Sequence, residues 1–279
     1  MEVEPLQDGV PNRYAFESDD SEDDIGRNAY PGVPDKTRRT RQVYDVDIVW
    51  NMDESTLGGK NMYVAIGQAG LAWASGVQLG APTAEIQLKD IKVASVHFIE
   101  QDGVLVLVLK YELPISAMNV FASKVLSTFN PSRVTIVDGY SSPAYIRSSR
   151  KSDLDHPIRY LQTACAENKI TSKGVKLFRP PNLLLSTSAA FLGILEQGQR
   201  IPGLLLLLPF PQIERPPPRT IEPIRTSVGW PEKQVVEMND TFSPSLNWSA
   251  DLAKDSGRLA VSNVQKQKKS DSADMSMYI

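Results

Sequence analysis

The residues with the most distinctive chemistry are the last three, Met277-Tyr278-Ile279. A flexible apolar side chain, a phenol and a terminal carboxylate offer a plug for a slot, a hydroxyl for a polar partner and an anion for a lysine or a nest of backbone amides. They close a polar stretch that begins near Asp251 and consists mainly of Ser, Asp, Lys, Gln, Asn and Ala. Such a composition buries too little apolar surface to offset the entropy of ordering. The stretch from 251 to 279 therefore reads as a flexible tail that presents its tip.

Other reactive groups are sparse. Gly67-Gln68-Ala69-Gly70 falls between an apolar run and a small-residue stretch, where an α/β fold places a phosphate loop. It lacks the Gly-x-Gly spacing of a dinucleotide loop and the Gly-Lys-Ser/Thr of an NTPase, and close strand–helix packing accounts for its glycines. His97, His156 and Cys165 are the only residues of their kinds, too few for a zinc cluster built from Cys and His alone. There is no Gly-x-Ser-x-Gly elbow, and Asp153 and Asp155 lie in a polar loop with no sign of a shared site. Cys165 reads as a small buried hydrophobe on a helix rather than as a nucleophile. The residues give no catalytic, cofactor or metal site.

Composition narrows the class further. The chain has 279 residues, 41% hydrophobic and 23% charged, as expected of a globular protein with one large domain or two small ones. A net charge of −3 argues against nucleic acid as the main partner, since phosphate binding needs a basic field. A single cysteine excludes an intramolecular disulfide and fits a reducing compartment. The acidic N-terminus lacks the basic and apolar parts of a secretory signal, so a cytoplasmic location is expected. The apolar runs Leu183 to Leu195 and Leu204 to Phe210 fall short of the roughly 20 residues that a bilayer requires. Asn239-Asp240-Thr241 and Asn247-Trp248-Ser249 match the glycosylation pattern only incidentally.

Residues 1 to 41 read as disordered, with an acidic block from Glu17 to Asp24 and a basic one of Lys36, Arg38, Arg39 and Arg41. The basic block leaves a nuclear address open. The folded part is expected over 42–250. Val43 to Trp50 alternates as a half-buried or edge strand, and Met62 to Ile66 is a strand covered on both faces. A small-residue helix follows over Gln68 to Gln78. Val93 to Ile99 and Val104 to Leu109, joined by Gln101-Asp102-Gly103, predict an antiparallel hairpin. Ser116 to Phe129 has helical spacing, with Ser116 as cap and Asn130-Pro131 as stop. Arg133 to Val137 is a buried strand, Pro157 to Ala166 a short helix capped by Asp155, Asn182 to Gln199 an apolar helix and Gly203 to Leu208 the most apolar strand. The prolines that follow, Pro209, Pro211, Pro216 to Pro218 and Pro223, cannot be sheet interior and favour extended polyproline geometry. This order predicts an α/β single domain, a mostly parallel sheet flanked by helices plus the antiparallel hairpin, with disordered tails.

The order of these segments resembles the proteasome assembly chaperones, and in particular the larger member of a heterodimeric pair. The likeness rests on MYVAIGQAGLAWASG (62 to 76), SRVTIVDG (132 to 139), PIRYLQTA (157 to 164), PPNLLLSTSAAFLGILEQGQRIPGLLLLLPF (180 to 210) and the terminal hydrophobic-Tyr-X of Met277, Tyr278 and Ile279. The resemblance implies a non-enzymatic chaperone that pairs with a second assembly chaperone and binds proteasome α subunits in the nascent α-ring of the core particle, without cofactor, nucleic acid or membrane. It further implies that the tripeptide enters a pocket between neighbouring α subunits. Met277 would sit at the mouth, the Tyr278 ring would be buried, and the Ile279 carboxylate would pair with a lysine. Two rivals follow from the residues. One is an enzyme of the nucleoside-phosphorylase kind, whose architecture suits the strand order but whose phosphate and base contacts are not apparent. The other is a scaffold that engages a partner through Pro216 to Pro218.

Overall fold

A computed structural model describes residues 44–260, apart from 53–56, 147–155, 167–173, 200, 214, 226–228 and 243–245. The charged N-terminal blocks, Asp153, Asp155 and the tip Met277, Tyr278 and Ile279 lie outside the described residues.

The chain enters through β1 (Val46–Trp50), and β2 (Asn61–Ala65) feeds directly into α1 (Gly67–Ala74). Next come β3 (Ala84–Leu88), β4 (Ile91–Ile99), β5 (Val104–Leu109), the short β6 (Tyr111–Glu112) and α2 (Ile115–Phe129). Helix α2 leads to β7 (Arg133–Ser141), followed by β8 (Ile158–Gln162) and β9 (Val175–Leu177). Helix α3 (Thr187–Ile194) passes through a π-helical turn, Leu195–Gln199, before β10 (Gly203–Phe210). The remainder is β11 (Glu222–Pro223), β12 (Trp230–Pro231), α4 (Glu232–Phe242), α5 (Ala250–Asp255) and β13 (Leu259–Ala260).

Nine strands form one sheet in the order β1-β3-β4-β5-β2-β7-β10-β8-β9. Its centre, β5-β2-β7-β10, is parallel. The β1, β3 and β4 strands extend one side in antiparallel fashion, and β8 extends the other. The expected α/β class and the hairpin of β4 and β5 are both present. Two small ladders, β6–β11 and β12–β13, lie outside this sheet.

The continuous apolar runs of the central strands are two interleaved faces, because side chains alternate with period two. On β5, Leu105, Leu107 and Leu109 join one core with Phe121 of α2 and Phe191 of α3. Val104, Val106 and Val108 join the opposite core with Trp73 of α1 and Val235 of α4. Strand β10 divides likewise, Leu205 and Leu207 to the first core and Leu206 and Leu208 to the second. Burying each such side chain contributes about 1.5–3 kcal/mol, so the helices on both faces are what make a fully apolar strand tolerable.

Several elements depart from expectation. The segment Pro157 to Ala166 is not a helix. Ile158–Gln162 is strand β8, which pairs with β10 from Leu204 to Leu207 and covers an edge that would otherwise expose the most apolar strand. Its buried Arg159 is tolerated because the guanidinium lies 3.6 Å from the Tyr145 ring centroid and donates to the Leu177 carbonyl at 3.2 Å. Helix α3 starts at Thr187 rather than at Asn182. The Asn182 side chain accepts from Ile146 N–H at 2.7 Å and donates to the Ile146 and Arg179 carbonyls at 2.9 Å. These bonds hold the chain out of helical conformation and leave Leu183 85% exposed. Helix α1 ends at Ala74, short of Gln78, since the next turn brings Gly76 beneath the Trp248 ring.

Helix α2 enters through Pro114, in extended conformation, and not through a Ser116 cap; Asn130 does end it, left-handed at φ 40° with its N–H on the Leu126 carbonyl. Pro209 lies within β10 opposite Tyr140, past the last residue that β8 pairs. Nor does folding stop near residue 250. Ser249 caps α5, Ala253 and Leu259 are buried, and β13 pairs with β12. A few well-placed apolar groups outweigh the polar average of that stretch. No helix among the described residues is long and apolar enough to cross a membrane.

Two glycines test this packing. A Cβ on Gly70 would lie 2.6 Å from the Ala65 carbonyl carbon and 2.8 Å from the Val137 oxygen, both backbone atoms, whereas one on Gly193 meets nothing within 4 Å. Urea denaturation should show Gly70→Ala losing about 1–3 kcal/mol, while Gly193→Ala gains about 0.5–1 kcal/mol.

Candidate functional site

Parallel strands β2 and β7 end side by side, and the chain leaves them at Gly67 and near Asp138-Gly139. Crevices beyond the carboxyl ends of such strands are where α/β folds bind ligands. A cleft of about 610 Å³ opens there, lined by Gly67 to Ala69, Asp138 to Ser141, Leu185 to Thr187 and the proline segment Arg215 to Pro218.

Asp138 is the unusual group in this cleft. It ends a run of buried β7 residues and is itself 5% exposed. Ser188 Oγ donates to its Oδ2 at 2.6 Å, and the Gly139 N–H donates to its Oδ1 at 2.7 Å. The Ser186 hydroxyl lies 2.6 Å from that of Ser188, extending the chain of polar groups. Burial pushes the Asp138 carboxyl up to about 6, against the opposing pull of these hydrogen bonds. Gly67 makes the arrangement possible. Its φ is +65°, and a Cβ there would lie 2.8 Å from Asp138 Oδ1. Packing therefore explains Gly70, whereas Gly67 leaves room for a buried acid.

Around the rim, Glu112 is held above the usual carboxylate value, first by burial and then by Glu222, with Arg215 and Arg225 opposing. Phe210 and Trp230 form an aromatic wall, with ring centroids 5.8 Å apart. Two buried polar atoms on lining residues, Gln68 Oε1 and Trp230 Nε1, have no hydrogen-bond partner.

The residues that stood out in the sequence are mostly elsewhere. His97 sits in β4 with Nδ1 3.2 Å from the Gly80 carbonyl and Nε2 3.0 Å from Ser95 Oγ, and burial lowers its pKa. This is a satisfied core histidine. Cys165 is half-buried in the turn after β8, not on a helix, with Sγ 3.3 Å from Thr163 Oγ1. Of the earlier candidates, the glycine loop and Pro216 to Pro218 reach the cleft. Asp138, Ser186 and Ser188 escaped notice, although an aspartate breaking the apolar run TIVDG is the signal that marks the first. Among the described residues, no three His, Cys, Asp or Glu side chains are grouped to hold a metal.

The shifted carboxyl makes a stability prediction. Asp138 keeps its proton in the folded protein up to about 6, while its unfolded counterpart loses it near the ordinary 3.8. The folded state thus binds more protons in that window. Its contribution is fully present below pH 3.8 and is lost as pH rises through about 6. Asp138→Asn should remove about 3 kcal/mol of this pH dependence, measured as the difference between wild-type and variant unfolding free energies from pH 3.5 to about 7.

No protein-family model matches the chain, and no curated protein matches it significantly in sequence. Among solved structures it is similar to PbaA of Pyrococcus furiosus, an archaeal homologue of proteasome-assembly chaperone, with TM-score 0.50 and 15% identity over 76% of this chain and 92% of that one. PbaB of the same organism, an archaeal proteasome activator, gives TM-score 0.48 and 12% identity over 76% of this chain and 94% of that one. A Thermoplasma acidophilum protein of unknown function gives 0.48 and 12% over 73% and 83%. The chain has a fold shared with PbaA.

Proposed function

We propose that the protein is a proteasome assembly chaperone, the larger member of a heterodimer that binds the nascent α-ring of the core particle and has no enzymatic activity of its own. The observation that carries this reading is the fold shared with PbaA, itself a homologue of proteasome-assembly chaperone, across 92% of that chain. The terminal sequence Met277-Tyr278-Ile279 supports it independently, since its chemistry suits a pocket between neighbouring α subunits. In this scheme the folded body docks on the ring with its partner. The tip then inserts, with Met277 at the pocket mouth, the Tyr278 ring buried and the Ile279 carboxylate on a lysine. That charge-assisted contact contributes about 1.5–3 kcal/mol. An occupied pocket excludes activators that use a similar terminal sequence. The work is done in the cytoplasm, with the basic block Lys36 to Arg41 as an address for the nucleus.

The extra folded turn of α5 and β13 shortens the tether. Between Ala260 and the end there are 19 residues, 279 minus 260, and a flexible chain of that length spans about 22–26 Å root-mean-square. Docking of the body thus turns a weak peptide contact into an intramolecular one at roughly millimolar effective concentration.

Affinity purification of the full-length protein should recover one α/β partner of similar size together with α-ring subunits; recovery of neither overturns the chaperone reading. A variant lacking 277–279 should keep the partner yet capture α subunits several-fold less well at limiting concentration. Equal capture would show that the body alone suffices and that the tip does not dock.

A further inference from the structure

The cleft at the ends of β2 and β7 has no part in tail docking, yet folding leaves unmatched polar atoms on its lining. Trp230 is 1% exposed and its Nε1–H finds no acceptor; Gln68 Oε1 is buried and finds no donor. An unpaired buried group costs about 1–3 kcal/mol. A protein that keeps one donor and one acceptor in this condition on one cleft is set up for something that supplies the complements. Asp138 adds carboxylate lone pairs to the same wall, while Met118, Leu109 and Phe210 supply apolar surface. The volume, about 610 Å³, lies within the usual range for a small-molecule site.

Charge decides the class of ligand. The first turn of α1 has no acidic residue and no side-chain cap, which by itself favours an anion. Asp138 already stands against Gly67 at that end, however, and repels a second negative group. At the rim, Arg215 and Arg225 are opposed by Glu112 and Glu222. A neutral ligand fits best. It must accept from an indole N–H and donate to an amide oxygen, and a lactam does both within one flat group. The Phe210–Trp230 wall favours an aromatic ring beside it.

We propose that this cleft binds a neutral, planar heterocycle carrying a lactam amide, the chemistry of a nucleobase. The lactam carbonyl accepts from Trp230 Nε1, a ring N–H donates to Gln68 Oε1, and Asp138 receives a further ring or exocyclic N–H. This site is independent of the chaperone reading and needs neither the tail nor a partner.

The test is saturation-transfer NMR and titration of the full-length protein with uracil and hypoxanthine, each compared with its parent ring, pyrimidine and purine, which lack the lactam. At least one lactam should saturate the protein at millimolar concentration or below, with its parent ring about tenfold weaker, as expected for one or two lost hydrogen bonds. Gln68→Met, a near-isosteric change at a half-buried position, should weaken binding about tenfold. Trp230→Phe should do the same, with its unfolding midpoint recorded alongside so that lost affinity is not mistaken for lost fold. The proposal is overturned if neither lactam binds, if the parent rings bind equally well, or if Gln68→Met binds as the wild type does. Because capture of α subunits is a separate readout, failure here leaves the chaperone reading untouched.

Discussion

Four neighbouring strands, β5, β2, β7 and β10, are apolar on both faces, and the placement of the helices answers to that constraint. Parallel strands of this kind are stable only between two covering layers. Helices α2 and α3 close one side through Phe121 and Phe191, whose rings meet edge-on at 6.1 Å. Helices α1, α4 and α5 close the other through Trp73, Val235 and Ala253. The Trp73 indole also donates to Asn239 at 3.2 Å, fastening α1 to α4 with a buried polar bond. The short β8 strand then protects the flank of β10, so the richest leucine run in the chain meets neither water nor an open edge.

Within this frame, the carboxyl ends of β2 and β7 are where apolar packing yields to polar chemistry. Asp138 is accommodated there by a glycine without a side chain, by its own neighbour's amide and by a serine brought in from the start of α3. Each supporting group comes from an element whose main task is to cover the sheet. The polar cluster therefore adds no scaffold of its own, and its geometry is as rigid as the layers that carry it. This also explains why β2 must turn sharply at Gly67: an ordinary residue at φ +65° would be strained and would collide with the acid.

Most of the central layer was legible in the sequence, because the residues of β1, β2, β5 and β10 carry either strict alternation or unbroken β-rich runs. What misled was local pattern overridden by distant partners. Ile158–Gln162 has no decisive period, and only the open flank of β10 makes it a strand. The β3 strand went unread, although Ala84, Ile86 and Leu88 are buried in alternation. Its turn into β4 uses Lys89 and Asp90, both at positive φ, in place of the expected Asn-Gly type. Asn182 delays a helix by bonding to Ile146, which is 36 residues away. The cleft was half visible: its glycines stood out by spacing, whereas the pairing of Asp138 with Ser188 joins residues 50 apart and has no local signature.

The β12–β13 ladder gives the far end of the chain a mechanical character. Only two residue pairs, Trp230 with Leu259 and Pro231 with Ala260, tie the last described strand to the body. A force applied beyond Ala260 is borne first by this small parallel clasp, in shear, and reaches the indole of Trp230 before it reaches the nine-strand sheet. Strain on the end of the molecule is thereby felt at the aromatic wall of the cleft, while the double-sided core behind it stays unloaded.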